Sequence, residues 1–466
     1  MSGILILGGF FVFAALMIMK VLPTILALPL MAAWIALVVQ MPLVAYLNNI
    51  LLAGSMKLGS AMAVVIFGAM FAKVIMKTGV SDTIIKKAAE LAGDKPRSIA
   101  IILSFATIFV FLGMSGLGAV IMVGSIVLPI MMSAGISPLL ASSILLLALQ
   151  TGLLGNAASY GTFIGIFGGE ITMSYYAPAF TISLLGTVAC ILINIKNTSE
   201  KGESSTSFLQ VIGIVLKGIL LLPKNLCVSL YEQITKATTA KVSSLVVKKT
   251  TVPAAALVAP IIPLVTVYAF KAVVGFGKAT QGHVDPVAAS VLGFFLASVY
   301  AIMLTKPSQL INVMAGSITE GIKDVAGVIF LFMGIGMLVA AVMDPTVAKV
   351  LNPLLLAILP THRWTVFAFF ALLAPTALYR GPLNMFGMGV GIAALIGTLN
   401  ILPAPIVVGT FLAVGYVQGA SDPTNSQNTW ISGFVNVDTS EILKKTLPYT
   451  WAMCLLLLLY VTLMRW

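Results

Sequence analysis

The feature that most limits the fold of this chain is the recurrence, from one end to the other, of apolar runs long enough to cross a bilayer. Residues 3–19, 22–39, 60–77, 98–113, 137–154 and 176–195 are examples in the first half. Roughly 17 to 25 such residues, wound as a helix, span the hydrocarbon core. In lipid only helices and closed barrels satisfy every backbone N–H and C=O, and these runs lack the alternation of barrel strands. The expected fold class is an all-α polytopic membrane protein of about 10–12 transmembrane segments.

Composition agrees: 60% of the 466 residues are hydrophobic and 9% are charged, against about 25% charged in soluble domains. The formal charge of +12 comes mainly from lysines in loops. Cytoplasmic loops of membrane proteins collect Lys and Arg, so no nucleic-acid partner is called for. Three scattered cysteines (Cys190, Cys227, Cys454) carry no metal or disulfide spacing. The opening run GILILGGFFVFAALMIM has no basic residue before it and no convincing cleavage site after it. It is expected to be a retained first helix rather than a secretory signal.

The chain is written twice. Pro23 and Pro286 each open an apolar run, and Phe67 and Phe330 keep the same offset (286 − 23 = 330 − 67 = 263). Further on the offset is 268, for Gly113 with Gly381 and Gln150 with Gln418. Each half is expected to hold long helices, a short segment (42–55; 306–318), another helix and an amphipathic stretch (80–92; 346–358). A Gly-rich hairpin, a helix breaking into a polar run and a last helix follow. Loop 73–97 holds Lys73, Lys77, Lys86, Lys87, Lys95 and Arg97, whereas 341–363 holds only Lys349 and Arg363 with His362. That bias predicts the first loop cytoplasmic and the second external, an inverted-topology repeat. The domains expected are a first repeat over 1–195, a basic cytoplasmic connector over 196–250 and a second, inverted repeat over 251–466. Within the connector, 208–223 is expected to lie along or dip into the membrane surface.

In inverted-repeat carriers the site forms near the midplane, where paired helices break. The breaks read from the sequence are 113–119 and 152–162 in the first half, and 379–387 and 418–429 in the second. Gly and Pro stop a helix there, and Ser, Thr and Asn re-satisfy the freed backbone groups. Half-helix N-termini suit a carboxylate; C-termini and unwound carbonyls suit Na⁺. Close helix packing is the plainer use of such glycines.

Arg380 sits in YRGPLNMFG between two nearly uncharged runs. A buried arginine costs at least about 2.5–3.5 kcal/mol, so it should face a cavity or a partner. Its planar fork matches a carboxylate in bidentate fashion. The reading is that Arg380, with Asn384 and Ser115, takes an organic anion; snorkelling at a helix end, or pairing with a structural acid, is the alternative. The candidate substrate residues are Ser115, Gly116, Asn156, Ser159, Arg380, Asn384, Ser421 and Thr424. Asp422, Asn425 and Glu170 are the candidates for ion coupling, with a Na⁺ placed near Asn156, Asp422 and Asn425. Asp422 has two other readings, a partner for Arg380 and the cap of a helix beginning near Pro423. Asp285, His283 and Asp344 are expected at solvated helix ends. No Ser-His-Asp order, metal-ligand cluster or P-loop occurs, so an enzyme or direct ATP drive has no support.

MSGLGAVIMVGSIVLPIMMSAGISPLLASSILL (114–146) and SDPTNSQNTWISGFVNVDTSEILKKTLPYTWAM (421–453) resemble stretches of the ion transporter superfamily. Its members include the citrate, gluconate and lactate permeases. The first stretch resembles their hairpin and following helix; the second, their polar break, surface helix and terminal span. The paired Ser-Asn-Thr signature of the dicarboxylate branch is absent. The resemblance implies a homodimer in an inner membrane, with a scaffold part and a hairpin part that carries cargo. It also implies symport of a carboxylate with H⁺ or Na⁺, or a related exchange. A cation/proton antiporter of the same superfamily is the second reading, and a membrane-embedded enzyme or receptor the third.

Overall fold

The structure is a computed structural model that describes residues 2–19, 21–195, 252–275, 284–387, 389–398 and 401–465. The connector 196–250, with its stretch 208–223, and His283 lie outside the described residues. The described fold is all-helical. Its first half runs α1 (Ser2–Ile18), α2 (Thr24–Val38), α3 (Leu43–Lys77), α4 (Val80–Leu91), α5 (Pro96–Gly113) and α6 (Leu117–Ser133). It closes with α7 (Pro138–Leu154), α8 (Gly161–Phe167) and α9 (Gly169–Asn194). The second half runs α10 (Ala254–Val273), α11 (Pro286–Thr305), α12 (Pro307–Met343), α13 (Pro345–Ile358) and α14 (Arg363–Leu373). Then come α15 (Gly389–Thr398), α16 (Ala404–Ser421), α17 (Ser426–Val435) and α18 (Thr439–Met464). Helix starts follow local chemistry: Ser137 and Asp285 accept from Leu140 N and Val287 N, each just ahead of a proline at the first helical position.

Eight helices among the described residues are long and apolar enough to cross a membrane, nine if α7 and the 80° bend into Ala158–Phe167 count as one span. That is fewer than the 10–12 expected, because α1, α2 and α6 are shorter apolar helices. The segments 42–55 and 306–318 are not separate elements. Each runs on into the long helix behind it, with a wider turn at Tyr46–Leu52, a turn at Lys57–Leu58 and a tighter one at Pro307–Gln309. Gly54 and Gly336 do not break these helices because each packs against the other helix's backbone. Lys73 and Lys77 likewise belong to α3 rather than to a loop, and both are ion-paired to α12, at 2.7 Å to Asp324 and 2.7 Å to Glu320.

Element by element, α1–α9 match α10–α18. The packing repeats too: α2 lies on α12 as α11 lies on α3, α7 on α9 as α16 on α18, and α6 on α17 as α15 on α8. The corresponding helices α3 and α12, α7 and α16, and α9 and α18 also pack on each other. This is the exchange a pseudo-two-fold axis produces, and it interleaves the halves rather than leaving two separate bodies. Helices α3 and α12 run antiparallel. A Cβ on Gly54 would stand 2.9 Å from Met337 Cα, and one on Gly321 2.8 Å from Met70 N.

Candidate functional site

In each half a hairpin meets a broken helix. Helix α5 stops at Gly113, the chain turns through Gly116 at φ +92°, and α6 returns. Helix α7 breaks at Asn156, which is buried. The Asn156 amide donates to Phe111 O (3.2 Å) and Met114 O (3.1 Å) on the hairpin, while its oxygen accepts from Ala158 N (3.0 Å).

The second half fastens its hairpin with a carboxylate. Beyond α14, a turn over Ala374–Arg380 ends with Tyr379 (φ 56°) and Arg380 (φ 59°), two non-glycine residues in left-handed conformation. Such strain costs on the order of 1–3 kcal/mol per residue. It aims successive N–H groups into one concavity, where an anion sits well, and Asp422 fills it. Oδ1 of Asp422 accepts from Tyr379 N (3.1 Å), Thr424 N (2.9 Å) and Thr424 Oγ1 (2.7 Å). Oδ2 accepts from Arg380 N (3.4 Å) and Asn384 Nδ2 (3.2 Å). Asp422 is fully buried. Two residues that sequence reasoning did not place in the site complete the fastening: Gln418 Oε1 accepts from Met385 N (2.7 Å), and Asn428 Nδ2 donates to Ala420 O (2.8 Å). The signal for Gln418 was its position, an amide in an apolar run with Gln150 at the repeat offset.

Asp422 therefore does not begin a helix near Pro423. Helix α17 begins at Ser426, and the carboxylate reaches back to the hairpin instead. No contact within 4.0 Å joins it to the guanidinium of Arg380, whose backbone N–H it receives. A carboxylate has about four lone-pair positions, and five protein donors converge on that of Asp422. Among the described residues, no group of three or more His, Cys, Asp or Glu surrounds a metal-sized space.

The remaining candidates divide. Asn384, buried, donates also to Ala377 O (2.8 Å) and accepts from Phe386 N (2.9 Å). Asn425 donates to Gln418 O (2.7 Å). Ser421 faces α18, with its Oγ 2.8 Å from Thr450 Oγ1. Ser115 is half-buried, and Gly116 and Ser159 are exposed. Glu170 is exposed in the first turn of α9, away from the second break. The Arg380 side chain is half-buried. Among the described residues its guanidinium has no acid within 4.0 Å, the ion pairs there being Lys73–Asp324 and Lys77–Glu320. The second break thus holds a buried carboxylate that accepts five hydrogen bonds from neutral donors and, beside it, a guanidinium with no acid within 4.0 Å among the described residues.

No family model matches the sequence, and no curated protein matches it. Among solved structures, the Alcanivorax borkumensis YdaH transporter, described as having an unusual topology, is similar in fold. The TM-score is 0.52, with 12% identity, over 93% of this chain and 97% of that one. At that identity the likeness is one of fold.

Proposed function

We propose that this chain is a secondary active transporter that carries a small organic anion across an inner membrane, coupled to H⁺ or Na⁺. The observation that carries the proposal is the Arg380 guanidinium, which makes no salt bridge within 4.0 Å, beside a carboxylate whose oxygens already accept from backbone N–H and side-chain donors. A planar fork without a counter-ion, on a broken hairpin within the membrane, suits a carboxylate cargo. The similarity in fold to a transporter supports the class of activity. The halves are read as inverted repeats acting in a homodimer, with α1–α3 and α10–α12 as scaffold and the hairpins as the moving part. The antiparallel course of α3 and α12 supports the inversion. The saturated Asp422 weighs against the antiporter, which needs an acid free to take a cation.

The test is thermal stability of the purified protein with mono-, di- and tricarboxylates, each with Na⁺, with K⁺ and at two pH values. A carboxylate at a hundredfold excess over its Kd stabilises by about 2.7 kcal/mol. Arg380→Ala is expected to lower that gain clearly. A response to Na⁺ or pH alone, with no carboxylate effect in wild type, would replace the anion carrier by the antiporter. Topology has its own test. A cysteine placed at Lys86 is expected to be labelled only from the cytoplasmic side, and one at His362 only from outside; native Cys190 and Cys454 are buried. Labelling of both from one side would overturn the inversion.

A further inference from the structure

The Lys73–Asp324 ion pair has no role in the site described so far. Asp324 stands midway along α12 (324 − 307 = 17 residues from one end, 343 − 324 = 19 from the other). It meets Lys73 of α3 at 2.7 Å, with side-chain exposures of 36% and 16%. The pair lies at the first hairpin: a Cβ on Gly118, the second residue of α6, would be 3.3 Å from Asp324 Oδ2 and 3.5 Å from Lys73 Nζ. At the repeat offset, Lys73 corresponds to Gly336 (73 + 263 = 336) and Asp324 to Ala61 (324 − 263 = 61), so the matching positions carry no such pair. Ionisable residues inside membrane spans are costly and mark ion or substrate paths. This pair bridges the two halves where scaffold meets the first hairpin.

We infer that Lys73 and Asp324 form a second, proton-coupled station for the cargo at the first hairpin, apart from Arg380: a carboxylate there takes the Lys73 ammonium when Asp324 accepts a proton from solution. This rests on the anion-carrier reading. Lys73 keeps its own proton throughout and exchanges one anionic partner for another. Asp324 becomes a neutral acid, so one proton accompanies each carboxylate and the site's net charge is unchanged. Lys77, Glu320 and Lys323 lie within one turn of the pair. Of the other elements packed there, α2, α6 and α15 carry no titratable side chain. Helices α11 and α13 add Tyr300 and Lys349, the far end of α3 Tyr46 and Lys57, α4 Asp82, Lys86, Lys87 and Glu90, α5 Arg97 and the turn after α7 Tyr160, while Lys306, just ahead of α12, donates to Lys77 O. Asp324 is therefore the acid in direct contact with Lys73.

The experiment uses the full chain in detergent, with lactate, gluconate and malate as probes, between about pH 6.5 and about pH 8. Uptake of one proton on binding tightens apparent affinity about tenfold for each unit of lowered pH. Wild type is expected to show that slope and a matching alkalinisation in weak buffer. Asp324→Asn is expected to bind a probe with no slope and no proton uptake. If Asp324→Asn fails to fold, the double variant Lys73→Gln/Asp324→Asn, which imitates the uncharged crossing, is expected to fold and to bind at least about tenfold more weakly. A carboxylate response that keeps its slope in Asp324→Asn, or survives intact in the double variant, overturns the inference and leaves the anion carrier standing. A wild type indifferent to every probe overturns both.

Discussion

Replacing Asp422 by alanine is expected to cost roughly 3 kcal/mol or more, because it strands several buried donors at once and each orphan costs about 1–3 kcal/mol. The N–H groups of Tyr379 and Arg380 and the amide of Asn384 all lose their acceptor. With the anion gone, nothing offsets the left-handed backbone at 379 and 380. The expected readout is loss of monodisperse protein, or a large fall in unfolding temperature, together with loss of any carboxylate response through Arg380. Asp422→Asn should be milder, since one oxygen still accepts while the new NH₂ faces other donors. An Asp422→Ala protein as stable as wild type would mean that the carboxylate does not fasten the hairpin.

The second large effect belongs to the scaffold. A Cβ on Gly336 would land on the carbonyl oxygen of Gly54, and one on Gly54 would stand 2.9 Å from Met337 Cα. Backbone opposes backbone here, so no side-chain rotation relieves Gly336→Val and the two long helices must separate. The cost is expected at or above the roughly 1–3 kcal/mol typical of overpacking. Gly327→Ala, on the same helix with nothing within 4 Å of its new Cβ, is the control and should lose no stability. Equal unfolding temperatures for the two variants would show that α3 and α12 do not depend on that approach.

The sequence made the apolar helices and the four breaks readable, because bilayer thickness and helix-breaking residues act on local runs of residues. The amphipathic stretches fell at Val80–Leu91 and Pro345–Ile358, close to where periodicity put them. Partnership was not readable. Asp422 before Pro423 has the pattern of a helix cap, and only the approach of a hairpin some forty residues upstream shows where its oxygens go. Lys73 looked like the first charge of a loop because its acid is 324 − 73 = 251 residues away. The continuity of α3 through Gly54 and Gly59 was hidden for the same reason, since the face that tolerates Gly54 is supplied by α12.

The two hairpins are fastened by unequal means. Gln418 and Asp422 hold the second by four separate hydrogen bonds, from Tyr379, Arg380, Asn384 and Met385. Among the described residues, the first is held to its broken helix by the Asn156 amide, and Gln150, the counterpart of Gln418, leaves its buried amide without a bond and rests against Gly419. Local opening follows the weakest set of bonds. Thermal fluctuation in this molecule is therefore lopsided: the tip around Ser115 and Gly116 parts from its broken helix at small cost, while the tip bearing Arg380 stays shut until several bonds fail together.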